Sequence, residues 1–195
     1  MKVMRKMEAL VNGETGGFKV GDQIHIGKHY TATCQKVEKN GAIFMFDQYL
    51  DSARVMNYLR TNEGGYEASD LRKFLKKFVM DSMFDEIREM MVPFKKTGDL
   101  LRIPTAEEMF GPEEGGEYCE TLSHKKQWPL MKDRRNRLAF YGKKQEAGQG
   151  WLQNKSEDYS AARFVLVSIA GGATVSSASG INGIRVVLRL KEVRG

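Results

Sequence analysis

The histidines and cysteines are the residues with the clearest potential for metal or thiol chemistry. His25 and His29 stand at i and i+4, a spacing that puts two metal ligands on one face when the segment is a helix. These two lie instead in a predicted β segment and the turn after it, so they share no helical face. Cys34 and Cys119 are far apart and show no CxxC or CxxH spacing, which indicates neither a zinc site nor a disulfide framework. The sequence therefore predicts no metal site.

Signatures of catalysis are also missing from the sequence. No GxSxG nucleophile elbow occurs, and the glycines near the N-terminus form neither GxGxxG nor GxxxxGK. A Ser-His-Asp triad stays open at this point, because such triads are recognised by geometry. The carboxylates Glu113, Glu114 and Glu117 could hold calcium, but this cluster is more typical of a solvated turn. We expect a protein that is not an enzyme and carries no cofactor.

Positive charge is concentrated between residues 125 and 144, in a chain of net charge +6. Aromatic residues are interspersed with the cations, as in surfaces that bind phosphate or single-stranded nucleic acid. No nucleic-acid-binding motif frames the stretch, so contact with a protein or saccharide and a plain solvated loop remain alternatives. The candidate polyanion-binding residues are Lys125, Lys126, Arg134, Arg135 and Arg137.

The first secondary-structure elements that the sequence predicts are strands. Residues 1–18 are expected to form an N-terminal arm, and residues 19–195 a single domain. Short β-type runs at 23–26, 29–37 and 42–46 predict a β-meander, with Asn40-Gly41 as a hairpin turn because both residues tolerate positive φ.

Two or three helices are predicted next. Ser69 is expected to cap a helix, and Thr105 with Glu108 has the form of a capping box. A further helix is expected to start at Asp81 or Ser82 and to turn Phe84, Ile87, Met90 and Met91 inward. The face of the helix that follows Ser69 is made by Leu71, Phe74, Leu75, Phe78 and Val79, which recur at helical spacing.

The last part of the chain returns to strands after a long loop region at 113–150. A hairpin is predicted from 162–169 and 173–177 around Gly171-Gly172, and a closing strand at 184–190 is expected to pair with the meander. Arg185 in that strand is expected to form a buried or half-buried ion pair. The order of elements predicts an α+β fold.

Several residue strings carry a resemblance to a known family. They are EASDLRKFL at 67–75, FDEI at 84–87, RIPTAEE at 102–108, WLQN at 151–154 and GIRVVL at 183–188. Together they resemble a bacterial and phage domain family that is similar to C-type-lectin-like proteins. The strings are also similar to formylglycine-generating-type domains and to the target proteins of diversity-generating retroelements. The resemblance implies a C-type-lectin-like fold with an N-terminal β-meander, two or three helices, a C-terminal hairpin and a closing strand.

The resemblance also implies a binding face in the segment before the closing hairpin, here residues 148–160. Rigid aromatic and small polar side chains in this segment suit adaptable recognition. As an alternative, Trp151 fills the core beneath the loop and the other residues form a hydrophilic turn. The candidate ligand-binding residues are Trp151, Gln153, Asn154, Ser156, Asp158 and Tyr159.

The resemblance to formylglycine-generating-type enzymes implies reactive thiols near the C-terminal loops. No cysteine follows Cys119, so the chain departs from that pattern, and a divergent formylglycine-generating-type enzyme is the third alternative. The expected function is a non-enzymatic ligand-binding or structural protein, displayed on a phage virion or tail as a receptor-binding or decoration component. The second alternative is an intracellular binding module that uses the basic loop on nucleic acid or another polyanion.

The expected partners follow from the same reasoning. They are a protein or saccharide receptor, other virion proteins, a polyanion or a second copy of the chain. Residues 1–10 lack the apolar stretch of a secretory signal, and the apolar runs are too short to span a bilayer. We therefore expect synthesis in the cytosol without a signal peptide, no insertion into a membrane, and a place in the virion if the chain is phage-encoded.

Overall fold

The computed structural model shows a mixed α+β protein whose sheets are antiparallel, as the sequence predicts. None of the helices described is long and apolar enough to cross a membrane. Of the predicted N-terminal arm, residues 1–16 lie outside the described residues. Phe18, predicted as the last residue of the arm, belongs to the core, where its ring lies 5.1 Å from that of Phe44. The structure describes residues 17–78, 83–115, 117–119, 122–142, 146–156 and 162–191.

The predicted meander is confirmed as the first three strands of a five-stranded sheet. These are β1 (Gln23–His25), β2 (Thr31–Glu38) and β3 (Gly41–Phe46). The hairpin between β2 and β3 is confirmed, but its turn lies one residue earlier than predicted, at Lys39-Asn40, because Glu38 pairs with Gly41. Gly41 has φ +150°, and a Cβ there would collide with the carbonyl oxygen of Leu190, so glycine is required for this close strand approach.

The last strand of the chain completes this sheet beside the first ones. The sheet order is β1-β2-β3-β10-β4, in which β4 is Leu101–Arg102 and β10 is Val187–Lys191. Strand β10 runs antiparallel to β3, from Val187 opposite Met45 to Lys191 opposite Gly41. The predicted pairing of the closing strand with the meander is therefore confirmed.

The two predicted helix caps are confirmed. The Ser69 hydroxyl accepts a bond from the Arg72 N–H at 3.1 Å, and Thr105 with Glu108 forms a complete capping box. The predicted start of the next helix at Asp81 or Ser82 lies outside the described residues. The observed helix begins at Asp85, and Phe84, predicted to face inward, is its exposed N-cap. The helices are α1 (Gly65–Ala68), α2 (Asp70–Phe78), α3 (Asp85–Met90), α4 (Ala106–Met109) and α5 (Pro112–Gly115).

The region predicted as a long loop at 113–150 contains regular elements. Besides α5 it holds the 3₁₀ turns η1 (Pro129–Lys132) and η2 (Arg134–Arg137) and the hairpin of β5 (Phe140–Tyr141) with β6 (Glu146–Ala147). Such short elements leave no apolar periodicity in a sequence, which is why the pattern indicated a loop.

A three-stranded sheet follows, in the order β7-β8-β9. The hairpin of β8 (Arg163–Val167) and β9 (Ala173–Ser177) around Gly171-Gly172 is confirmed. Strand β7 (Gly150–Lys155) falls in the segment predicted as a binding face, residues 148–160. Only two of its residues are apolar, and its strand conformation depends on pairing with β8 and on a bond from Gln153 N–H to the Pro104 carbonyl at 3.0 Å.

The five-stranded sheet is buried on both faces. Phe44 and Phe46 of β3 belong to one apolar cluster, whereas Ile43 and Met45 belong to a second. Strand β8 divides its side chains between the same two clusters. Helices α2 and α3 cover the first cluster, and α4 with η1 covers the second.

The ring of Tyr49 is held between two glycines of the C-terminal half. An added Cβ would lie 2.6 Å from the ring at Gly183 and 2.5 Å from the hydroxyl at Gly150. The hydroxyl donates to the Gly148 carbonyl at 3.1 Å, and burial raises the pKa of this phenol. The contact fixes the segment after β3 against the start of β7.

We expect Gly183→Ala to lower the free energy of unfolding by about 1–3 kcal/mol, because the methyl group must displace a packed ring. The same change in a Tyr49→Ala background is expected to cost less, because the ring that the methyl group would meet is absent. Urea titration of Gly183→Ala in both backgrounds measures the difference. Gly172→Ala is the control, since its nearest neighbour would be 3.8 Å away. Equal losses in both backgrounds would contradict the proposed contact.

Candidate ligand-binding site

Three large apolar side chains are strongly exposed in the loops at one end of α2. Tyr58, Leu59 and Ile181 are 74%, 75% and 72% exposed, more than any other large apolar residue described. Tyr58 and Ile181 both border a cavity of about 200 Å³. The remaining lining residues are Ala53, Arg54, Val55, Asp70, Leu71 and Phe74.

Backbone bonds between distant segments hold the walls of this cavity. Arg54 and Asn182 exchange backbone hydrogen bonds of 2.9 and 3.0 Å, and Asn57 N–H donates to the Ala178 carbonyl at 2.9 Å. The segment after β3 is thus tied to the segment between β9 and β10. A site with walls fixed in this way loses little conformational entropy when a ligand binds.

Asp70 fixes the backbone of Tyr58 while the side chain stays exposed. Its carboxylate accepts a bond from Tyr58 N–H at 3.1 Å and one from Lys73 Nζ at 3.0 Å. The Tyr58 N–H, followed by the Lys73 ammonium, holds the pKa of the Asp70 carboxyl below its usual value. Asp70 N–H in turn donates to Asn57 Oδ1, so this turn and the start of α2 hold each other.

Arg54 connects the cavity to the core. Its guanidinium lies 3.8 Å from the centre of the Phe74 ring, and its carbonyl accepts a bond from Trp151 Nε1 at 2.7 Å. The cavity therefore offers an apolar floor with one cationic and one anionic group in its lining. Such a lining suits an apolar group with polar substituents.

The predicted ligand-binding residues of 148–160 mostly support the fold. Trp151 is 0% exposed, which confirms the alternative that it fills the core, and Ser156 is also buried. Gln153 Nε2 donates to the Ile103 carbonyl at 2.5 Å, and Asn154 Oδ1 accepts from Ala106 N–H at 2.8 Å. These bonds attach β7 to the residue that follows β4 and to the first residue of α4. Asp158 and Tyr159 lie outside the described residues, so a binding role for them stays a prediction.

The predicted polyanion-binding residues do not form one row of open cations. Arg137 is buried and bonds to the Met131 and Gly171 carbonyls, and it forms an ion pair with Glu114. The side chain of Lys125 is on the surface. Three others have carboxylate partners at 2.8–2.9 Å: Lys126 with Glu107, Arg134 with Glu114 and Arg135 with Asp133.

The residues with metal or thiol chemistry lie apart. His25 and His29 are exposed, whereas Cys34 and Cys119 are buried free thiols. Burial, followed by the charge of Asp22, raises the pKa of Cys34 to about 12, so this side chain is a thiol and not a nucleophilic thiolate at neutral pH. Within the ranges that the structure describes, no three His, Cys, Asp or Glu side chains converge to hold a metal ion.

Sequence reasoning missed the residues of the cavity rim. Tyr58 and Leu59 form an apolar pair in a segment without helical or strand periodicity, and Ile181 is the single large apolar residue among the small residues at 176–183. A large apolar residue without a periodic partner is the signal that could have indicated an exposed contact.

Fold and cavity together define an α+β protein with a preformed surface site. No protein-family model, no curated protein and no solved structure matches this chain.

Proposed function

We propose that the chain is a non-enzymatic ligand-binding protein of C-type-lectin-like type that binds a protein partner at the rim made by Tyr58, Leu59 and Ile181. The observation that carries the binding proposal is the exposure of Tyr58 and Ile181 at one cavity, with Leu59 exposed next to Tyr58 in the chain. Single exposed apolar residues are common, but a group at a preformed cavity is typical of interaction sites.

The C-type-lectin-like part of the proposal is supported by topology. The last strand lies between β3 and β4, so the two ends of the described chain meet in one sheet. The three-stranded sheet is inserted between them in sequence and shares both apolar clusters. A closing strand beside an N-terminal meander is what the family resemblance implies. A place on a phage particle belongs to the same proposal and is supported by that resemblance alone.

A protein partner fits the rim better than a polyanion does. Leu59 and Ile181 are aliphatic, and covering one such side chain contributes roughly 1.5–3 kcal/mol. Tyrosine is enriched among the residues that dominate binding energy at interfaces. In contrast, the cations Lys126, Arg134 and Arg135 already face carboxylates, so a polyanion must compete with these pairs.

We expect Tyr58→Ala to weaken peptide binding about 10-fold or more, because the ring is the largest exposed apolar group of the rim. The probe is a set of peptides selected from a displayed random library against the unmodified protein. Their dissociation constants are then measured by isothermal calorimetry on each variant. The free energy of unfolding is expected to change by less than about 0.5 kcal/mol.

Phe140→Ala is the matched control, since Phe140 is an aromatic residue, 40% exposed, that does not line the cavity. We expect its effect on peptide affinity to be small. Peptides that bind Tyr58→Ala as well as the unmodified protein would overturn the rim as the binding site. Affinity that falls steeply with salt and with Lys125→Ala would favour the polyanion alternative.

A further inference from the structure

Strand β9 is the outer strand of the three-stranded sheet, and one side of it is open among the described residues. Ser168 N–H donates to the Gly172 carbonyl, and Ala178 N–H donates to the Ala162 carbonyl. Along an antiparallel ladder, hydrogen-bonded residue pairs alternate with pairs that are not hydrogen-bonded. These two bonds therefore show which pairs of the hairpin are the hydrogen-bonded ones. Residues 174 and 176 of β9 therefore bond to β8, whereas the N–H and C=O groups of Ala173, Val175 and Ser177 point to the other side. On that side the Ser177 carbonyl accepts a bond from Gly180 N–H at 2.8 Å.

The open side of β9 lacks the features that usually protect an edge strand. Natural edges are kept short or carry lysine, proline or a bulge. Residues 164–184 contain no Asp, Glu, Lys, Arg, His or Pro, although charged residues make up 29% of the chain. The turn at one end of the strand adds Ile169, which is 61% exposed.

The other edges described are short or covered. Strand β1 has three residues and β4 has two. Strand β7 is met on its outer side by bonds from Trp151 N–H to the Gly183 carbonyl and from Gln153 N–H to the Pro104 carbonyl. Strand β9 is thus the longest edge of the described sheets that is open over most of its length, since a bond meets only its last carbonyl.

We propose that β9 pairs antiparallel with β9 of a second copy of this chain, so that the two three-stranded sheets join into one six-stranded sheet across a two-fold axis. A two-fold axis at Val175 puts Val175 opposite Val175 of the other copy, and Ala173 opposite Ser177. Four backbone bonds then form without the Ser177 carbonyl: two between the Val175 residues and one from each Ser177 N–H to the Ala173 carbonyl of the other copy. An uncharged strand meets its own copy without like-charge repulsion, and the pairing closes both open edges at once. This inference does not depend on the ligand cavity.

Light scattering after gel filtration tests the pairing on the unmodified protein. We expect a mass of about twice 22.1 kDa at micromolar concentration. Val175→Pro removes an N–H that points outward and is expected to give a folded monomer with unchanged circular dichroism. A monomeric unmodified protein, or a Val175→Pro variant that remains a dimer, would overturn the proposal.

Cysteine cross-linking gives a second test that does not need the proline variant to fold. In the proposed register Val175→Cys places two thiols opposite each other at a Cα separation of about 5.5 Å, within reach of a disulfide. Thr174→Cys is the matched control, because its two copies lie diagonally and beyond that reach. We expect oxidation to convert Val175→Cys, and not Thr174→Cys, to a covalent dimer; equal cross-linking of both would contradict the register.

Discussion

Replacing Arg185 by Met is expected to lower the free energy of unfolding by at least about 3 kcal/mol, because two buried carbonyl oxygens and one partly buried carbonyl oxygen lose their donor. The guanidinium bonds to the Phe46 carbonyl at 2.7 Å, to the Asn136 carbonyl at 3.0 Å and to the Arg137 carbonyl at 3.2 Å. It thereby joins the end of β3 to η2. Burial lowers the pKa of this arginine, and the carbonyl dipoles offset part of the cost of burying its charge.

Two further variants test this role of Arg185. We expect Arg185→Lys to recover only part of the loss, since an ammonium group cannot reproduce the planar fork of the guanidinium. Arg189→Met is the matched control, because Arg189 forms a half-buried ion pair with Glu38 at 2.6 Å and is expected to contribute about 1 kcal/mol or less. Urea unfolding gives the free energies, and hydrogen exchange at 134–137 reports whether η2 loosens. Equal losses for Arg185→Met and Arg189→Met would disprove the account.

Trp151→Ala is expected to cost about 3–5 kcal/mol of unfolding free energy, because the largest fully buried side chain is removed from the core. The indole is 0% exposed, and its ring centre lies 6.3 Å from that of Phe164 in an edge-to-face contact. The indole N–H also donates to the Arg54 carbonyl at 2.7 Å. The variant should therefore weaken both the core and one wall of the candidate ligand cavity.

A conservative variant separates the two contributions of Trp151. Trp151→Phe keeps an aromatic ring against Phe164 but leaves the Arg54 carbonyl without its donor, for an expected loss of about 1–2 kcal/mol from the bond. Trp128, also buried, remains as the fluorescent reporter in each variant. If Trp151→Ala unfolds at the same urea concentration as the unmodified protein, the core position of this residue is refuted.

Arg185 and Trp151 also show how far sequence reasoning reaches. The sequence predicted that Arg185 would be buried or half-buried in an ion pair. It is buried, but among the described residues its guanidinium binds carbonyl oxygens and no carboxylate. Arg185 lies just before β10, and its burial agrees with its apolar neighbours Ile184 and Val186. Its hydrogen-bond partners come from β3 and η2, which are remote in sequence.

The candidate site was less predictable than the fold. The resemblance directed attention to residues 148–160, where Gln153 and Asn154 bond to other segments of the chain. The rim residues Tyr58 and Ile181 come from two loops that meet through the Arg54–Asn182 bridge. No local pattern encodes such a meeting, because it depends on the packing of both sheets.

The sequence by itself determined the local elements of this protein. The Ser69 and Thr105 caps, the β2–β3 hairpin and the Gly171-Gly172 hairpin are fixed by side-chain hydrogen bonds and backbone preferences within a few residues. The tertiary structure alone decided which polar and aromatic side chains are buried in the core and which remain on the surface. Whether a side chain is buried depends on contacts with residues far away in the chain. The sequence of a single segment does not indicate which distant residues will pack against it.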